Sequence, residues 1–206
     1  MLHARQYYAA NTLFYRICPL DNLFVLKVNR GMDKNLSDNK LVELANKGVE
    51  EAMNTLYYRY REWVYGLAFR LCGNKEDAQE ILQEVFIYFF NKFPGFELRS
   101  SLKTFLYPVV KNTIISNIRK KRKIIPLDDS VARSIPDESL NWDVELRKLS
   151  EYMEDFSKED KELVFLRFYD EFQFAEIAEV FNVPVGTIKS CLNRLLSRLR
   201  EKIKKI

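Results

Sequence analysis

Five polar side chains near the C-terminus carry the clearest chemistry in this sequence. On a helix, Thr187, Lys189, Ser190, Asn193 and Arg194 fall on the side opposite Ile188, Leu192 and Leu195. Lys and Arg reach phosphates or guanine, while Asn, Ser and Thr read base edges. Such a helix could enter a major groove with its N-terminal turns. A second constellation is basic: Lys111 to Lys123 holds six cations (Lys111, Arg119, Lys120, Lys121, Arg122, Lys123) and no acid. A third is acidic: Asp77, Glu80 and Glu84 form a stripe opposite an apolar face, with Gln79 and Gln83 beside it, which by itself fits a solvated helix face as well as a surface for a basic coiled-coil partner.

Catalytic chemistry is poorly supplied. The one histidine is His3, and Cys18, Cys72 and Cys191 are far apart without metal-ligand spacing. No cofactor, no metal and no catalytic residue is expected. Scattered, odd-numbered cysteines suit a reducing compartment. No apolar run reaches the roughly 18 residues of a membrane span, and Arg5, Arg16, Asp21 and Lys27 interrupt any signal-peptide core. A cytoplasmic protein without membrane insertion is expected.

The elements that must position these groups read as helices throughout. The 206 residues suffice for one medium or two small domains. Residues 1–31 lack sustained periodicity, and Met32 resembles a natural start, so an N-terminal extension outside the fold is expected. Ala52, Met53, Leu56, Tyr57, Tyr60, Trp63, Val64, Leu67, Ala68 and Leu71 recur at helical spacing until Gly73-Asn74. Ala78, Ile81, Leu82, Val85, Phe86, Phe89, Phe90 and Phe93 do the same until Pro94-Gly95. A third helix holds Leu102, Phe105, Leu106, Val109, Val110, Ile114 and Ile118, with Ser100 or Ser101 as N-cap and Pro108 expected to kink or split it.

Pro126 to about Trp142 has two prolines, clustered acids and no periodicity, as a linker would. Leu127 to Glu145 carries six acids against Arg133 alone, whereas Lys189 to Ile206 carries seven cations and one acid. Two basic blocks around an acidic connector imply two contacts with a polyanion. Beyond the connector, Trp142, Leu146, Leu149 and Met153 mark a helix, and Ser157 with Asp160 opens another. Short helices are expected at about 174–181 and 186–203. Ile177, Ala178 and Phe181 face the core of this hairpin, Asn182 takes a left-handed turn, and Val183 fills the angle. The fold class is therefore all-α. It comprises two small helical domains, 32–123 and 142–206, joined by a flexible acidic linker at 124–141.

Against this background the chain resembles a known family. Phe165-Leu166-Arg167-Phe168-Tyr169, Glu176-Ile177-Ala178-Glu179 and Val185-Gly186-Thr187-Ile188-Lys189-Ser190 resemble, in order, region four of bacterial sigma factors of the extracytoplasmic-function group in the sigma-seventy family. The resemblance implies that a helix-turn-helix reads the minus-thirty-five promoter element through Thr187, Lys189, Ser190, Asn193, Arg194 and Arg198, and docks on the flap of the polymerase beta subunit. Cys191 stands where the family commonly has Arg, and Asn193 where it often has His.

Asp77-Ala78-Gln79-Glu80-Ile81-Leu82-Gln83-Glu84-Val85-Phe86 resembles the region-two segment that grips the clamp helices of the beta-prime subunit. Asp77, Gln79, Glu80, Gln83, Glu84 and Phe86 are its implied core-polymerase contacts. Leu102-Lys103-Thr104-Phe105-Leu106-Tyr107 and Lys111-Asn112 resemble the part that recognises and melts the minus-ten element. Capture of the melted non-template strand needs a pocket for an unstacked base and cations along its backbone, not a catalytic group. Phe96, Arg99, Ser100 and Ser101 lie in the loop where the family forms that pocket. Lys103, Tyr107, Lys111, Asn112, Arg119, Lys120 and Arg122 follow on the helix, where Pro108 replaces an often basic residue. Most aromatics fit the core stripes, while Phe96 and Tyr107 are left open between packing and base stacking. An anti-sigma factor is the implied regulator. The rival readings are a stand-alone helix-turn-helix regulator that never joins core polymerase, and a DNA recombinase or nuclease, for which clustered carboxylates or a usable histidine are lacking.

Overall fold

The computed structural model describes residues 35–124 and 152–204, the side chains of 121–124 excepted. Every element among them is helical. The chain divides into two compact units, with the division at Leu140–Asn141. The expected extension, most of the acidic connector and the helix through Trp142, Leu146 and Leu149 lie outside the described residues.

In the first unit, α1 spans Asp38–Asn46, with Ser37 accepting from the Lys40 amide as N-cap. Helix α2 spans Glu50–Cys72 and stops at Gly73, whose φ of 71° is left-handed. Helix α3 spans Lys75–Phe90, opened by Asn74, whose Oδ1 accepts from the Asp77 amide at 3.0 Å. Helix α4 spans Leu102–Ile124. Helix α2 packs against α1, α3 and α4, and α3 packs against α4. Their shared interior takes Leu56, Tyr57, Val64 and Leu67 from α2, and Ile81, Val85, Phe86 and Phe89 from α3. From α4 it takes Leu102, Leu106 and Val110. Phe89 sits at the centre of the aromatic cluster, with ring centroids 5.3 Å from Phe93, 5.3 Å from Phe96 and 5.8 Å from Phe105. Edge and tilted contacts of this kind add to the burial energy of the rings.

Helix α4 runs unbroken through Pro108, so of the two expected outcomes, a kink or a split, the split does not occur. Proline removes one helical hydrogen bond, the one its nitrogen would make to the carbonyl four residues earlier. The flanking turns are held by buried Leu106, Tyr107 and Val110. Ser101 is the N-cap, its Oγ accepting from the Thr104 amide at 3.2 Å.

The second unit contains α5 (Lys158–Phe168), α6 (Phe174–Phe181) and α7 (Val185–Ile203). Ser157 caps α5 by accepting from the Asp160 amide at 3.1 Å. Glu176 reaches back to the Gln173 amide at 2.7 Å, closing the start of α6. Between α6 and α7, Asn182 adopts φ 53° and ψ 48°, a left-handed conformation that asparagine tolerates better than branched residues. The Val183 amide returns to the Ala178 carbonyl at 3.0 Å. Phe165, Leu166, Phe172, Ile177, Ile188, Leu192 and Leu195 form the core. Phe181, expected in that core, is half-buried.

Candidate nucleic-acid and partner surfaces

Burial of Ile188, Leu192 and Leu195 against α5 and α6 determines which way α7 faces. Thr187, Lys189, Ser190, Asn193 and Arg194 are all exposed on its other side, as their spacing predicts. The Ser190 hydroxyl donates to the Thr187 carbonyl at 3.0 Å. Lys189 Nζ lies 5.7 Å from the Phe174 ring centre, and Arg194 leans over Cys191 with Nη2 4.0 Å from Sγ. The two residues of this helix that depart from the family pattern are therefore at its polar face or its edge: Asn193 is exposed and Cys191 half-buried.

Arg198 is placed differently. Its guanidinium lies 4.5 Å from the Phe156 ring centre and 3.7 Å from Asp155. Lys202 pairs with the same carboxylate and also donates to the Tyr152 carbonyl at 3.2 Å. The Lys202 hydrogen bond holds the Asp155 carboxyl below its usual range, with Arg198 adding a smaller Coulombic pull. This clasp fastens the end of α7 to the segment before α5. Arg198 is thus paired within the fold, while its side chain stays 42% exposed.

On α3, Gln79 and Glu80 are exposed, and Asp77, Gln83 and Glu84 are half-buried. Phe86 is a correction. It is fully buried, with its ring 4.8 Å from Tyr57 and 5.7 Å from Phe90. No partner could touch it without opening the bundle, and the apolar periodicity of α3 accounts for it. Glu84 faces α4, where Lys120 Nζ is 3.6 Å away. Lys120 also donates to Asn117 Oδ1 at 3.2 Å. Asn117, with Asp77, Glu80, Ile81, Ile114 and Ile118, borders a cleft of about 30 Å³, room for one or two waters.

The loop between α3 and α4 is built from both ends. Phe96 is buried among Phe89, Phe93 and Phe105, and Ser101 is engaged as the cap of α4. The question left open for Phe96 is resolved towards packing, because its ring is a member of the core. Tyr107 is likewise 2% exposed, with Lys111 Nζ 5.7 Å from its ring centre. Neither aromatic is free to stack on a base in this conformation. Arg99 is exposed and Ser100 half-buried. Lys103 lies 5.6 Å over the Trp63 ring, while Asn112, Arg119 and Lys120 are exposed on the outer side of α4. The side chain of Arg122 lies outside the described residues.

Sequence reasoning missed Asn46. At the last position of α1, its Oδ1 accepts from the Gly95 amide at 2.7 Å and the Phe96 amide at 3.1 Å, and its Nδ2 donates to the Phe96 carbonyl at 2.8 Å. The contact spans about fifty residues, and no local pattern announces it. Also missed were Phe168 and Tyr169, which are about half exposed at the end of α5 although they belong to an apolar run.

Among the described residues, no helix is long and apolar enough to cross a membrane. Comparison with known proteins matches residues 56–124 to Sigma-70 region 2 and residues 152–201 to Sigma-70 region 4. The ECF RNA polymerase sigma factor SigW of Bacillus subtilis is 27% identical over 182 residues, covering 80% of this chain and 96% of that protein. The ECF RNA polymerase sigma-E factor of Escherichia coli K12 is 27% identical over 186 residues, covering 84% and 97%. The fold is similar to that of CnrH, solved with the cytosolic domain of CnrY, at TM-score 0.58 and 15% identity over 84% of this chain and 99% of that one. It is also similar to that of the sigma factor RpoE of Bartonella quintana, solved with the anti-sigma factor NepR, at TM-score 0.52 and 23% identity over 71% and 93%. Two polymerase-factor regions in order along one chain do not favour a stand-alone regulator. The chain belongs to the sigma-70 family and is an ECF sigma factor, a protein that acts with RNA polymerase in transcription initiation.

Proposed function

We propose a division of labour along the chain: residues 32–123 bind core polymerase and the minus-ten element, and 142–206 read the minus-thirty-five element, joined by a linker at 124–141. The observation that carries it is the outward face of α7, where five base- and phosphate-reading side chains stand exposed above a buried apolar stripe. Thr187, Lys189, Ser190, Asn193 and Arg194 enter the major groove, and Arg198, beside Asp155 further along the helix, contacts the same DNA. Asp77, Gln79, Glu80, Gln83 and Glu84 meet the clamp helices of the beta-prime subunit, and the second unit docks on the beta flap. Arg99, Ser100 and Ser101 border the pocket for a melted base. Lys103, Lys111, Asn112, Arg119, Lys120 and Arg122 follow the strand's phosphates and bases.

In this reading the chain contributes binding and strand capture, performs no catalysis of its own, needs no cofactor and works in the cytoplasm. An anti-sigma factor regulates it. Support comes from the Bartonella quintana relative, which was solved with one. Charge reversal at Asp77, Glu80 and Glu84 to Lys tests the polymerase contact. Opposed like charges at an interface cost several kcal/mol, so affinity of the folded variant for core polymerase falls about a hundredfold or more. Unchanged affinity would move that contact elsewhere.

A further inference from the structure

The loop between α3 and α4 must hold its reading residues at a fixed place if it is to distinguish one base from another. Its Phe96 ring is anchored in the core and its Ser101 is fixed as a helix cap. Between them stand only Glu97, Leu98, Arg99 and Ser100, of which Glu97 and Arg99 are exposed. Position and direction of this short arch depend on the backbone at Gly95 and Phe96. Among the described residues, the Asn46 side chain of another element holds that backbone through three hydrogen bonds of 2.7 to 3.1 Å. The amide orientation is fixed by its partners, since a flipped amide would turn its NH2 group on two backbone N–H donors.

Helix α1 is in turn fastened at its other end. Asp38 accepts from Arg59 Nη1 at 2.5 Å and from the Tyr60 hydroxyl, and Arg59 Nη2 donates to the Leu36 carbonyl at 2.9 Å. Asn46 therefore sits at the tip of a braced strut aimed at the loop.

We propose that Asn46 is a positioning residue for promoter reading: its amide sets where residues 97–100 stand, and so determines how sharply the loop discriminates among bases of the minus-ten element. This rests on the reading of the loop as the minus-ten contact. Removing the amide leaves Phe96 in the core and the helices packed, but frees the Gly95–Phe96 backbone. The bundle persists while discrimination falls.

The test uses the full chain with core polymerase and a set of promoters carrying single-base changes in the minus-ten element. Open-complex formation is read by permanganate reactivity of unpaired thymines. Asn46→Ala is expected to compress the range between best and worst base by about fivefold or more, the lower end of what a base contact distinguishes. Affinity for core polymerase should stay within about twofold, as for substitutions away from an interface. Asn46→Asp keeps both acceptor contacts but sets a carboxylate oxygen against the Phe96 carbonyl in place of the donor, so it too should compress the range. An unaltered range for Asn46→Ala overturns the proposal. So does equal loss on every promoter together with weakened core binding, which would mark Asn46 as mere support for the fold. Should the Ala variant fail to fold, Asn46→Asp decides on the same two readouts. Arg99→Ala separates the premise from the inference. If it compresses the range while Asn46→Ala does not, only the role of Asn46 is wrong. If neither changes it, the loop is not the reader.

Discussion

At the residue scale, exposure separates side chains that residue type alone groups together. Lys189, Arg194 and Arg198 are three cations on one helix, yet two face outward and the third lies across Phe156 beside Asp155. Lys189→Ala and Arg194→Ala should each weaken promoter binding, by roughly 1–3 kcal/mol where the side chain contacts a base. Affinities measured across single-base variants of the minus-thirty-five element check this: a base contact gives a loss concentrated at one position, and a uniform loss demotes the residue to a phosphate contact. The spacing of the outward five was legible because burial of Ile188, Leu192 and Leu195 follows helical period. The Asp155 clasp was not, because it joins α7 to a segment more than forty residues earlier. Asn46 was hidden for the same reason: an asparagine at a helix end usually serves its own turn, and only the folded chain brings Gly95 and Phe96 to it.

At the element scale, the helices were readable because apolar residues mark their inward faces and Asn74, Ser101, Ser157 and Gly73 mark their ends. The errors have local physical causes. Pro108 signals a kink or a break, and no break occurs because buried Leu106, Tyr107 and Val110 hold the turns on either side of it. Phe86 could be assigned to a partner by resemblance or to the core by period, and the period was correct. The apolar cluster around Phe89 supports α3, α4 and the loop between them. Phe89→Ala should therefore destabilise the first unit by roughly 3–5 kcal/mol, the loss for truncating a buried aromatic. Denaturant titration of the full chain followed by near-ultraviolet circular dichroism checks it. A loss below about 1 kcal/mol would mean that the cluster is loosely packed.

At the scale of the whole molecule, a net charge of only +4 hides an uneven distribution. Cations gather on α4 and α7, and acids on α3. One chain can thus offer a negative surface to a protein partner and positive surfaces to DNA, with each kept on its own helix. The contact between Glu84 and Lys120 is where these surfaces meet, and at 3.6 Å between partly exposed groups it is a weak tie that either partner could displace. The most direct measurement is run-off transcription from a genomic promoter library by core RNA polymerase, with and without this protein. A sigma factor should give new start sites that depend on the added chain and share two sequence elements at a fixed spacing. Start sites unchanged by its addition would contradict that role.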